Sequence, residues 1–96
     1  MMVLVTYDVS TELPAGRRRL RRVARACTNV GQRVQQSVFE CSLDNAQFIA
    51  FRAQLLREID PDHDSLRFYR LGNDWQRLVE HFGAKPSFDP DGYLEV

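Results

Sequence analysis

Residues 3–7, Val-Leu-Val-Thr-Tyr, form an apolar run that stops on an acid, Asp8. Period-2 alternation places Val3, Val5 and Tyr7 on one face of a strand Met2–Asp8, with Leu4, Thr6 and Asp8 on the other. A strand that is apolar on both faces as far as Val5 belongs in the middle of a sheet and needs cover on each side. The same run makes Asp8 a question, because a charge beside apolar neighbours is costly unless something pairs with it.

The segments that follow narrow the answer. Pro14 suits the first turn of a helix that runs to about Val30, where Gly31 supplies a stop. Leu20, Val23, Ala24 and Cys27 recur at i, i+3, i+4 and i+7 and form its buried stripe. The Val- and Phe-rich stretch after it gives two short strands, Arg33–Gln36 and Val38–Ser42, with a tight junction near Ser37. Asp44 caps a second helix, with Gln47 completing a capping box and Phe48, Phe51, Leu55 and Ile59 facing inward. Asp60-Pro61-Asp62 ends it, and a fourth strand spans Leu66–Leu71. The order β-α-β-β-α-β predicts an α+β, ferredoxin-like sandwich: one antiparallel sheet with both helices on one face.

With 96 residues the chain is expected to be a single domain, 1–96, with residues 1–71 as the βαββαβ core. A core of that size is modest. Two helices leave the second sheet face open, and a small domain with an open apolar sheet face commonly buries it against its own copy, which predicts a homodimer through that face. Residues 72–96 read as a C-terminal extension at the dimer edge. Trp75, Leu78, Val79 and Phe82 make an amphipathic piece, Pro86 and Pro90 break the chain, and residues 92–96 suit a last strand that pairs with a partner's edge. Met1–Val9 lacks a basic leader, and its apolar run is too short to span a membrane, so a cytoplasmic protein with no membrane partner is expected. Cys27 and Cys41 have neither metal spacing nor a disulfide pattern and read as buried, reduced thiols.

Charge is distributed unevenly. Residues 1–43 hold seven arginines against three acids, and residues 44–96 hold six basic residues against ten acids, although the whole chain is neutral. Asymmetry of this kind points to a polyanionic partner for one surface. On the first helix Arg18, Arg22 and Arg25 fall on one line, with Arg17 and Arg21 beside it, opposite the buried stripe. The like charges repel one another, and a phosphate backbone would relieve that and release counterions. A solvated face paired with acids of the second half is the alternative. No base-reading motif is visible, so contact with the nucleic-acid backbone is expected rather than sequence readout.

Three blocks carry a resemblance: Val-x-Val-x-Tyr-Asp-Val-Ser-Thr at 3–11, Gly-Gln-Arg-Val-Gln-Gln-Ser-Val-Phe-Glu at 31–40 and Leu-Arg-Phe-Tyr-Arg-Leu at 66–71. Together they closely resemble the CRISPR-associated protein 2 family, over nearly the whole chain. The resemblance implies a ferredoxin-like homodimer that takes part in spacer acquisition and bridges copies of a CRISPR integrase. It also implies a Mg²⁺-dependent endonuclease that cuts RNA or duplex DNA. By the same resemblance Asp8 is the metal ligand, and Tyr7, Arg33 and Phe39 stand with it as catalytic-site residues.

Asp8 alone makes a poor Mg²⁺ site, since that ion takes octahedral oxygen ligands including one or two carboxylates. A twofold axis would bring in a second Asp8, and the two carboxylates would then need a cation between them. Arg33 would orient a phosphate oxygen and Tyr7 would shape the cleft. On residue type alone Asp8 also suits a turn cap. Two further functions stay open: a DNA-binding adaptor without catalysis, and a small-molecule regulatory domain of the same fold. Asp60, Asp62 and Asp64 imitate the start of a calcium loop but lack its turn glycine and closing glutamate, and they read as a solvated acidic loop. His63 and His81 have no metal-ligand spacing and read as surface residues.

Overall fold

The structure, a computed structural model, describes residues 1–83, so the strand expected at 92–96 lies outside the described residues. Its elements are β1 (Met2–Asp8), α1 (Pro14–Val30), β2 (Gln32–Gln35), β3 (Val38–Ser42), α2 (Asn45–Glu58) and β4 (Ser65–Gly72), followed by a short 3₁₀ turn at Trp75–Arg77. The four strands make one sheet in the order β2-β3-β1-β4, antiparallel throughout. This is the expected ferredoxin-like plan, with β1 at the centre as its two apolar faces require.

Register explains the core. Val5 sits between Phe39 of β3 and Phe68 of β4, Val3 between Cys41 and Arg70, and Tyr7 opposite Leu66. Alternation turns Val3, Val5, Tyr7, Phe39 and Cys41 to the face on which both helices lie. There they pack with Val23, Ala26 and Cys27 of α1 and Phe48, Phe51 and Leu55 of α2. Phe68 meets Phe48 and Phe51 edge-on, at 5.6 and 6.2 Å between ring centres. Each fully buried side chain of this kind stabilises the fold by about 1.5–3 kcal/mol. Burial pushes the Cys27 and Cys41 thiols up to about 12, as expected of inert core thiols.

Local signals act much as their chemistry suggests. Asp44 accepts the Gln47 amide at 2.7 Å and Gln47 accepts the Asp44 amide at 2.8 Å, a complete capping box. Gly31 ends α1, but in extended backbone and not in a left-handed cap. Its need for glycine is spatial: a β-carbon there would strike the Cys41 sulfur and the Glu40 carbonyl oxygen. The segment after β4 is less regular than its apolar spacing suggests, and Leu78 and Phe82 stay largely exposed. On the sheet face away from the helices lie Leu4, Thr6 and Val38, half-buried, with Tyr69 42 % exposed. No described helix is long and apolar enough to cross a membrane.

Candidate functional site

The end of β1 sends successive side chains to opposite sides of the sheet. Tyr7 turns toward the helices and is buried, while Asp8 turns to the open face and is exposed. Its backbone pairs with Ser65 of β4. Among the described residues no hydrogen bond or ion pair engages the Asp8 carboxylate. Within the single chain, Asp8 is exposed at the strand end with its carboxylate unengaged among the described residues.

Tyr7, Arg33 and Phe39 are brought together on the other side. The Tyr7 and Phe39 rings stack at 6.2 Å and 22°. The Arg33 guanidinium lies over the Phe39 ring, 5.0 Å from its centre, within the range of a cation–π contact. Burial raises the Tyr7 phenol above its ordinary pKa, and the nearby Arg33 and Ser37 oppose the rise. The pleat explains the split: neighbours in sequence along a strand cannot share a face. Three of the four residues expected at the site thus form one cluster, and Asp8 stands on the opposite face.

Arg17, Arg18, Arg21, Arg22 and Arg25 are all exposed on α1. Arg17 donates to the Thr11 carbonyl at 3.1 Å. None of the five is in an ion pair among the described residues, so no acid-paired face forms among those residues. The arginine of this run that does pair is Arg19. Its Nε and Nη2 donate to Asp64 at 2.8 and 3.2 Å.

That pair corrects the expectation of a solvated acidic loop. The Asp64 side chain is 0 % exposed and also accepts the Ser10 amide at 3.0 Å and the Asp60 amide at 2.8 Å. The Arg19 guanidinium, chiefly, holds its carboxyl down to about 2. Asp60 contacts His63 Nδ1 at 2.9 Å and accepts the Asp62 amide at 3.0 Å, and these, the His63 contact first, lower its pKa. A loop of three neighbouring acids looks solvated in one dimension; Arg19 is 45 residues away and enters only through the fold. Nor does the sequence mark Glu40. It is buried on the open sheet face, and burial raises its pKa against the opposing charge of His81.

No group of three or more His, Cys, Asp or Glu side chains able to hold a metal occurs among the described residues. Asp8 offers one exposed carboxylate, unengaged among the described residues. That oxygen donor suits a hard cation as part of a ligand set completed by water or by a second copy.

A family model described as CRISPR associated protein Cas2 matches residues 1–79. The chain is 64% identical over 94 residues to the CRISPR-associated endoribonuclease Cas2 of Chlorobaculum tepidum, covering 98% of each chain. It is 56% identical to the CRISPR-associated endonuclease Cas2 of Halalkalibacterium halodurans, covering 93% of each. Among solved structures it resembles Streptococcus pyogenes Cas2, crystallised at pH 6.5, with a TM-score of 0.75 and 60% identity, covering 86% of this chain and 100% of that one.

Proposed function

The chain belongs to the CRISPR-associated Cas2 family, and from that premise we propose that it works as a homodimer that binds nucleic acid and serves spacer acquisition. In this reading the dimer bridges subunits of a CRISPR integrase and hydrolyses phosphodiester bonds in RNA or duplex DNA at a paired Asp8 site. The observation that carries the catalytic part is the Asp8 carboxylate, exposed and without a partner among the described residues at the end of the central strand, on the sheet face that the helices leave open. A twofold axis through that face would set two copies of Asp8 together.

Mg²⁺ is the cofactor proposed, and when bound it would supply an acidified water and neutralise charge on the phosphodiester. The chain's own groups do the rest. The two Asp8 carboxylates would hold the ion. The exposed arginines of α1 take the sugar-phosphate backbone and fix its path. Tyr7, Arg33 and Phe39, lying across the sheet from Asp8, act by fixing the end of β1 and the β2–β3 turn from the helix side. Direct contact with substrate would require Arg33, the exposed member, to reach round the sheet edge.

The adaptor role has its own support in the five arginines without ion-pair partners among the described residues, which need nothing from Asp8. Asp8→Asn separates the two activities. The variant should keep its fold and nucleic-acid affinity while Mg²⁺-dependent cleavage of RNA and duplex DNA disappears. Cleavage at the wild-type rate would remove the paired-Asp8 mechanism and leave the adaptor alone.

A further inference from the structure

Asp64 ties its own loop to two segments far from it in sequence. It lies at the end of the α2–β4 connection, accepts from Arg19 of α1, and accepts the Ser10 amide in the turn between β1 and α1. That turn follows directly on Asp8. The opposite side of Ser10 is fixed as well: its carbonyl oxygen occupies the space that a β-carbon on Gly16 would fill. Ser10 is therefore clamped between a carboxylate on its amide and the first turn of a helix on its carbonyl. Asp8 itself pairs with Ser65, the residue next to Asp64. The strand end that presents Asp8 is held from both directions by one short piece of chain.

An ion pair with one buried member is not the most effective route to stability, and apolar residues of similar volume often serve as well. What an apolar residue cannot supply is a directional tie to the N–H of a particular turn. We propose that Asp64, held in place by Arg19, is a positioning residue for Asp8, fixing the β1–α1 turn so that two copies of the Asp8 carboxylate can share one divalent cation. The proposal rests on the paired-Asp8 reading above. Groups that orient metal ligands from behind typically change metal affinity ten- to hundredfold when removed, and that is the size of effect expected here.

Mn²⁺ is a suitable probe, since its free aquo ion is counted directly by electron paramagnetic resonance, and the full-length protein is used throughout. Asp64→Ala and Arg19→Gln should weaken Mn²⁺ binding ten- to hundredfold and speed exchange of the Ser10 amide. Asp64→Asn keeps an oxygen for that amide and should fall between them and the wild type. Val3→Ala, a core truncation at the far end of β1, should lower stability without moving either readout. If Asp64→Ala does not fold, Asp64→Asn and Arg19→Gln make the same comparison. Wild-type Mn²⁺ affinity in these variants, with binding still lost in Asp8→Asn, would overturn the positioning role and leave the Asp8 site standing. Absence of Asp8-dependent Mn²⁺ binding in the wild type would overturn both.

Discussion

Asp64 shows how much a single carboxylate can depend on its surroundings. In the sequence it is the third acid of a loop; in the fold its side chain is fully covered and accepts hydrogen bonds from Ser10, Arg19 and Asp60. Its pKa falls from an ordinary 3.8 to about 2, with the Arg19 guanidinium the first cause. A carboxylate depressed in the folded state adds stability at every pH above its unfolded value. That stability is lost as pH drops from about 4 through about 2, where the folded group takes up its proton. The shift corresponds to about 2 kcal/mol. Thermal or denaturant unfolding followed from pH 7 to pH 2 should therefore show a loss between pH 4 and pH 2 that is smaller in Asp64→Asn. An identical acid profile in the variant would deny Asp64 that contribution. Asp8 is the contrasting case: its carboxylate is exposed and unengaged among the described residues, so Asp8→Asn should not lower the stability of the metal-free protein by more than about 0.5 kcal/mol, as denaturant unfolding would measure.

At the scale of elements, α1 has two incompatible-looking faces, and both are used. Its inner stripe, Val23, Ala26 and Cys27, is part of the core, and its outer face carries five arginines without acidic partners among the described residues. Charge reversal at Arg18 and Arg22 should weaken duplex binding and reduce the dependence of log affinity on log salt by about 0.9 for each phosphate no longer neutralised. Titrations at three salt concentrations measure this, and an unchanged slope would remove α1 from the nucleic-acid surface. The N-terminal turn of α1 also seats the Ser10 carbonyl against Gly16. Gly16→Ala should destabilise the fold by roughly 1–3 kcal/mol, because backbone atoms cannot swing aside as a flexible side chain can. Denaturant unfolding of the variant provides the check.

For the whole molecule, the decisive feature is the asymmetry of the sheet. One face is sealed by α1 and α2, and the other presents Leu4, Thr6, Val38, Tyr69 and the terminal Asp8. Self-association through this open face is the arrangement that would duplicate Asp8. Leu4→Arg should then shift sedimentation toward the monomer and abolish Asp8-dependent Mn²⁺ binding together. A dimer that survives Leu4→Arg with its metal affinity intact would move the interface elsewhere.

Sequence periodicity alone determined the order of elements, the central place of β1, the inward stripes of both helices and the Asp44–Gln47 cap. These depend on neighbours a few residues apart or on alternation along one strand, and such patterns are written linearly. It also located the exposed arginines, because a helix with one apolar stripe must turn its remaining face outward. The tertiary structure alone decided that Arg33 and Phe39 gather with Tyr7, that Arg19 binds Asp64, and that Glu40 is buried. Each depends on which strands lie side by side or on a partner tens of residues away, and neither residue type nor spacing encodes that partner until the chain has closed on itself.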